Sequence, residues 1–372
     1  MTSLTEEIGP LSNLEVLSIR NNRLVTVCPQ INALQNLLVL DLQHNHLKQL
    51  PSLVSLHRLE VLDLQYNKLD MLPEDLGALT SLQRLHLKYN LIADIPRQII
   101  AQLTNLTELD FEGNRLTMIP EEIGLLHRLT KLYLSRNQIT NLPPIFDGIP
   151  DLEELYLSDN QITNVEALIP LRKLEILHIN NNQLAFLHPG FVQLVCLKDL
   201  CAGSNVIEEL MPEIGDLECL AHLDLNDNRL TELPPSIGNL KKIRYINLEG
   251  NRLSALPKEI GKLSSLQSLF LGFNKLNSLI SEIGKLKKLK ELNLDENKLR
   301  TLPNEIGLCA ALEVLSFNDN EIEDLPNELY HLDQLRLFGM DDNPLTKIPP
   351  DVAEGGSQEV FNFLGERLKK AK

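Results

Sequence analysis

Apolar side chains recur along this chain as a single motif, L-x-x-L-x-L-x-x-N, first at Leu14-Leu17-Ile19-Asn22 and last at Leu335-Phe338-Met340-Asn343. It occurs fifteen times, its closing Asn falling at 22, 45, 67, 90, 114, 137, 160, 182, 205, 228, 251, 274, 297, 320 and 343. The mean interval is about 22.9 residues. Within each copy the L-x-L triplet alternates with period two, which predicts a short strand with its leucines on one side. A second half then returns the chain, clearest in Leu256-Pro257-Lys258-Glu259-Ile260-Gly261-Lys262-Leu263. Pro removes a backbone donor and fixes one dihedral, while Gly is expected to relax another, so this arm reads as a turn with a short helical piece.

No copy has enough apolar surface to fold alone, so neighbours must stack to make a core. An Asn amide donates and accepts at once, and stacked copies can therefore satisfy the buried backbone of the turns as a ladder. The fold class expected is α/β: a leucine-rich-repeat solenoid, a curved horseshoe with a parallel sheet on its concave side and a C-terminal capping helix. At the ~4.8 Å spacing of paired strands, fifteen copies give an inner arc of about 70 Å. One elongated domain over residues 1–343, followed by a cap over 344–372, replaces the two or three globular domains that this length would otherwise suggest.

The arm quoted above, repeated at Leu302-Pro303-Asn304-Glu305-Ile306-Gly307 with Cys309 in the last position, is similar to the Ras-group subfamily of intracellular leucine-rich-repeat proteins. That group includes a scaffold joining a Ras-family GTPase to protein phosphatase 1, Ras suppressor protein, and plant intracellular Ras-group proteins. The resemblance runs over essentially the whole chain, and it implies a signalling scaffold. Its motif specifies the framework far more closely than the site.

The two ends depart from the repeat. Residues 4–13, with Glu7-Ile8-Gly9 and Leu11, read as the second half of a preceding copy, so either they cover an open edge or a longer chain precedes them. After Asn343-Pro344-Leu345, a helical pattern places Val360, Phe361, Leu364 and Leu368 on one face. Ser357 is the expected N-cap, and Lys369 and Lys370 stand at the favourable end of the dipole. Inside the array, Val165-Glu166 and Leu279-Ile280 lack the arm Pro, and Cys201-Ala202-Gly203 puts Ala where Leu belongs. That substitution predicts a void or local repacking.

Composition narrows the function. The 372 residues carry a formal net charge of −16, which argues against a general grip on nucleic acid or anionic membrane. No apolar run reaches the ~18 residues of a membrane span, and the first residues lack a secretory signal's pattern. Five cysteines without a CxxC pair point to buried thiols in a reducing compartment, the cytosol or nucleus. No nucleotide, metalloprotease, hydrolase or kinase motif is present, so no enzyme activity, cofactor or metal is expected. Gly355-Gly356-Ser357 reads as a helix start rather than a phosphate cradle. His44 and His46 flank Asn45 with diverging rings, which disfavours a metal there.

What remains is the outer face of the strands. Aromatics are only 4% of the chain, yet Tyr66, Tyr89, Tyr133, Tyr156 and Tyr245 all fall at expected concave-facing positions. Tyr66 and Tyr89 share a position in adjacent copies, as do Tyr133 and Tyr156, with Arg84, His86, Lys88, Lys131 and Arg136 around them. Phe270 and Phe273 are expected to form a second exposed cluster on one strand beside Tyr245. From the ninth copy onward the facing positions hold Asp and Glu without Lys or Arg, which suits a basic partner. The N-terminal half suits an acidic one, such as a GTPase. The reading is a non-catalytic scaffold binding folded proteins, with small-GTPase or phosphatase signalling as its setting. The alternative is the recognition module of a larger signalling enzyme, a GTPase, kinase or ubiquitin ligase whose catalytic part lies elsewhere.

Overall fold

The computed structural model describes residues 1–370. They form two compact units, divided between Gln183 and Leu184. The first carries the strands β1 (Val16–Ser18), β2 (Val39–Asp41), β3 (Val61–Asp63), β4 (Arg84–His86), β5 (Glu108–Asp110), β6 (Lys131–Tyr133), β7 (Glu154–Tyr156) and β8 (Ile176–His178). The second carries β9 (Asp199–Cys201), β10 (His222–Asp224), β11 (Tyr245–Asn247), β12 (Ser268–Phe270), β13 (Glu291–Asn293), β14 (Val314–Ser316) and β15 (Leu337–Gly339). Within each unit every strand pairs in parallel with the next in chain order. These are the expected solenoid coils, one strand for each motif.

Register follows from the leucines. Leu62 lies opposite Leu85, Leu85 opposite Leu109 and Leu109 opposite Leu132, all fully buried. A slip by one residue would turn every one of them to water, so the alternation fixes the pairing. The two flanking residues of each strand point the other way, and among them Asp110, Cys201 and Ser316 are nonetheless buried.

The ladder asparagines bind successive coils. Asn45 Oδ1 accepts the Leu24 N–H at 2.9 Å, while its Nδ2 donates to Leu42 O in its own coil and to Ile19 O one coil earlier, both at 3.0 Å. Asn137 repeats the arrangement with Leu116 N–H at 2.9 Å, Phe111 O at 2.9 Å and Leu134 O at 3.0 Å. In the second unit Asn297 does the same with Leu276, Leu271 and Leu294. These side chains are buried, so each amide satisfies backbone groups that water cannot reach.

The residue just before each ladder Asn has a left-handed backbone in all fifteen coils, and only Gly113 and Gly250 among them are glycine. Such a conformation costs a residue with a Cβ about 1–2 kcal/mol. It turns the N–H toward the next coil: Tyr66 N–H donates to Lys88 O at 2.8 Å and Phe273 N–H to Asp295 O at 2.9 Å. The strain is offset by a bond between coils, and the side chain is left standing at the rim of the sheet.

The returning arms are short 3-10 segments such as Lys258–Lys262 and Asn304–Leu308. One returns as an α-helical turn, α1 (Arg97–Ile100). Their glycines do not relax a dihedral as expected, since only Gly113, Gly250 and Gly356 have positive φ. They allow close approach instead: a Cβ on Gly284 would lie 2.5 Å from Glu305 O of the next arm. In the ninth copy Ala202 is fully buried, and the arm before it carries Phe191, also fully buried, where most arms carry Ile. That larger ring adds apolar volume beside the coil whose strand is short of it.

At the start, Arg23 N–H donates to Met1 O and Val25 N–H to Thr2 O, so the first residues pair with the first coil. At the end stand α2 (Pro350–Glu354) and α3 (Ser357–Lys370). Ser357 is the first helical residue rather than the cap, its hydroxyl reaching Phe338 O at 3.5 Å. Val360 and Leu364 are buried, Phe361 meets Phe338 edge-on at 5.1 Å, and Arg367 forks onto Asp324 at 2.7 and 3.0 Å. The helix therefore covers the last coil and holds the Asp324 carboxyl below its ordinary range through Arg367. Asn137→Ala would strand the buried Leu116 N–H, while Phe111 O and Leu134 O each lose one of two amide donors and keep Asn114 Nδ2 and Asn160 Nδ2. The substitution is expected to lower the stability of the first unit by about 2 kcal/mol, read from urea unfolding followed by hydrogen exchange of β5 and β6.

Candidate functional site

Four positions per coil are free of the core: the first and third residues of the strand, and the two residues before the ladder Asn. Those last two continue beyond the strand into the turn. The structure sorts the sequence candidates among these rows. Tyr66, Tyr89, Arg136 and Phe273 occupy the left-handed rim position. His86, Tyr133, Tyr156 and Phe270 are third in their strands, Arg84, Lys131 and Tyr245 are first, and Lys88 precedes Tyr89.

In the first unit the rim row builds a continuous stack. His44 lies flat on Tyr66 with centroids 4.2 Å apart and planes 8° apart, and Tyr66 stacks on Tyr89 at 4.9 Å. The next coil has Gly113 at this position, and a Cβ there would come within 2.5 Å of the Tyr89 ring. Glycine thus leaves a gap that Tyr89 crosses, and Arg136 Nη1, two coils on, donates to its hydroxyl at 2.5 Å. Lys88 Nζ also lies 5.4 Å from the Tyr89 ring centroid. His44, Tyr66 and Tyr89 line a shallow cleft of about 390 Å³ with His46 and Lys68. A second stack joins Tyr133 to Tyr156 at 4.9 Å, and Tyr156 meets His178 edge-on.

The third-residue row of the same unit runs Asp63, His86, Asp110 along paired strands. His86 Nε2 is 3.2 Å from Glu108 Oε1 and Nδ1 is 3.8 Å from Asp63 Oδ2. Burial works against its protonation, but Asp63, Glu108 and Asp110 together raise its pKa. Burial pushes the Asp110 carboxyl up to about 6, although the Glu112 N–H and Lys88 act in the opposite direction. Asp110 Oδ1 accepts that N–H at 2.8 Å.

Three of the cations expected around the tyrosines meet carboxylates. Lys88 pairs with Glu112 and Lys131 with Glu154, each at 2.7 Å, and Arg136 reaches Asp159 at 3.5 Å. Each partner holds the same position in the following coil, so the register of the repeat already sets the pairs side by side. Arg84 remains exposed beside Val61 and Glu108.

The second unit differs. Phe270 and Phe273 do not share a strand and are not both exposed: Phe270 ends β12 half-buried, with its centroid 5.4 Å from Tyr245, while Phe273 stands in the turn, 61% exposed. His222 meets Tyr245 edge-on at 4.3 Å. Around them Asp224, Asp227, Glu249, Asp295 and Glu296 have no Lys or Arg partner among the described residues. Burial, then Asp295, Asp227 and Asp224, raise the pKa of Glu249.

The sequence reading missed three contributors. His44 was legible, since it holds the position of Tyr66 one copy earlier. Gly113 matters only through the ring lying over it, and His222 only through its contact with Tyr245.

These coils and their faces define the class. Residues 44–189 and 236–342 match a leucine-rich repeat region, and 12–69 and 219–240 match further leucine-rich repeat models. The chain belongs to the leucine-rich-repeat family, whose fold is typically a module for binding other proteins. It is 35% identical to an LRR protein of Leptospira interrogans, with a TM-score of 0.90, over 95% of this chain and 90% of that one. A plant peptide hormone receptor in complex with RGF2 is 28% identical, with a TM-score of 0.66, over 92% of this chain and 65% of that one. An internalin of Listeria monocytogenes shares the fold at 22% identity and a TM-score of 0.69, over 90% of this chain and 88% of that one. No protein of curated function matches the chain. No helix among the described residues is long and apolar enough to cross a membrane.

The Asp110 carboxyl sits at about 6 in the folded chain against 3.8 ordinarily, so folding takes up a proton there and stability falls as pH rises through that window. His86, also raised, contributes stability below its ordinary pKa that is lost at higher pH. Asp110→Asn keeps the acceptor for the Glu112 N–H. It is expected to be more stable than the parent by about 2 kcal/mol at a pH near 8, with the gap closing near pH 4, measured by denaturant titration at both.

Proposed function

We propose that this chain is a non-catalytic scaffold that holds folded protein partners against the solvent face of its strands. The observation that carries this is the rim stack in the first unit. Tyr66 is a bulky aromatic, 39% exposed and in a strained backbone conformation, and stability alone gives no reason to place it there. Tyrosine and arginine supply rigid area with polar ends, which suits recognition of another protein. The peptide hormone receptor in complex with RGF2 supports the use of this fold to hold a polypeptide.

Within this proposal, the Leu-Pro-x-Glu-Ile-Gly-x-Leu arms and their likeness to the Ras group support small-GTPase or phosphatase signalling as the setting. The five free thiols support a reducing, cytosolic one. The paired cations Lys88, Lys131 and Arg136 make complementary patches with their carboxylates rather than a basic field, so partner choice rests on shape and aromatic contact more than on net charge.

Tyr89→Ala combined with Arg136→Ala removes the far end of the stack without touching the core. Capture of partners by the immobilised chain, quantified by mass spectrometry, is expected to fall at least about fivefold, the effect of losing one interface anchor. The melting temperature should stay within about 4 °C. Unchanged capture would remove the first-unit face as a binding surface.

A further inference from the structure

From the second unit we infer a docking surface for a basic protein segment, centred on Phe273, which takes an arginine or lysine side chain between aromatic rings and unpaired carboxylates. This rests on the scaffold reading and assigns a partner chemistry to a different part of the face.

Phe273 is anomalous on two independent counts. Its backbone is left-handed at φ 53, where a bulky residue is rare, and its ring is 61% exposed. Every other coil of this unit places Ser, Asp, Glu or Gly at the same position. Its neighbours in the row are Gly250 and Glu296. The missing side chain at Gly250 leaves one flank of the row low, and the Asp227 carboxylate leans into that space, since a Cβ on Gly250 would collide with its Oδ1. Toward the strands, Gly272 is low as well, and a Cβ there would lie 3.1 Å from Glu249 Oε1. The two glycines thus leave room that the Asp227 and Glu249 carboxylates fill, which brings negative charge to the part of the face where Phe273 stands.

Charge then selects the occupant. Asp227, Glu249, Asp295 and Glu296 lack a cationic partner among the described residues, whereas the first unit pairs Lys88, Lys131 and Arg136 with carboxylates of the next coil. Nucleic acid and anionic lipid are repelled by such a face. A lysine or arginine can lay its alkyl stem on the Phe273 ring and present its charge to the carboxylates. Phe270 and Tyr245, in contact at 5.4 Å, extend the apolar footing for the residues that flank it.

The test uses the full chain and fluorescence anisotropy with a short alternating Gly-Arg peptide, an alternating Gly-Glu peptide as its opposite, and about 150 mM salt to screen diffuse charge. Phe273→Asn is the informative variant, because Asn tolerates the left-handed backbone and preserves the fold. The Gly-Arg peptide is expected to bind and the Gly-Glu peptide not to, with Phe273→Asn weakening binding about fivefold. A Glu249→Gln, Glu296→Gln double variant should weaken it comparably, while Glu218→Gln, on the arm side, should leave it unchanged. Equal binding by parent and Phe273→Asn overturns the proposal and leaves only net charge. If Phe273→Asn changes nothing while the Tyr89/Arg136 variant loses its partners, this surface is removed and the scaffold reading stands. If Phe273→Asn loses the peptide while the Tyr89/Arg136 variant keeps its partners, this surface stands and the first-unit face is removed.

Discussion

Thirteen of the fifteen coils end in a buried amide that bonds three or more backbone groups, and the rest of the molecule follows from that. A side chain ending in Leu or Ala would leave the Leu116 N–H unmet beneath Asn137 and take from the Phe111 and Leu134 carbonyls one of their two amide donors. Asp would carry no donor for either carbonyl. Asn alone among small side chains offers both functions at this reach, so the motif tolerates change at its leucines (Ile19, Phe338, Met340, Ala202) but none at Asn.

The ladder also creates the surface. To bring the amide inward, the residue before it must turn left-handed, and that turn lifts its side chain to the rim of the sheet, where it has no packing duty. In most coils a small or polar residue stands there. Tyr66, Tyr89 and Phe273 are the bulky aromatic exceptions, each in a conformation that side chains avoid. The energy for them comes from the inter-coil bonds of their own N–H groups, so the framework can carry strained recognition residues without losing its register.

The two units use this rim differently. In the first, aromatic rings stack on one another and cations meet carboxylates of the following coil, giving a face that is locally neutral and rigid. In the second, carboxylates accumulate without cations, and crowding with burial raises Glu249 and Asp224. A face of that kind gains most from a partner that brings its own positive charge, because proton uptake and counter-ions are the only other relief.

The repeat itself was readable without coordinates. Fifteen asparagines at near-constant spacing, an L-x-L triplet and a Pro-and-Gly arm dictate strand, turn and return, because stacking of identical units leaves one way to bury the leucines. The same regularity placed Tyr66 beside Tyr89 and Tyr133 beside Tyr156, since equal positions in adjacent copies must be neighbours. Relations that skip a copy or join different positions were not readable. Arg136 meets Tyr89 across Gly113, and Phe270 sinks while Phe273 rises, because side-chain reach and rotamer, not spacing, decide those contacts. The role of the arm glycines was hidden for the same reason: close approach of a neighbouring backbone is a fact of the stack, and no single copy contains it.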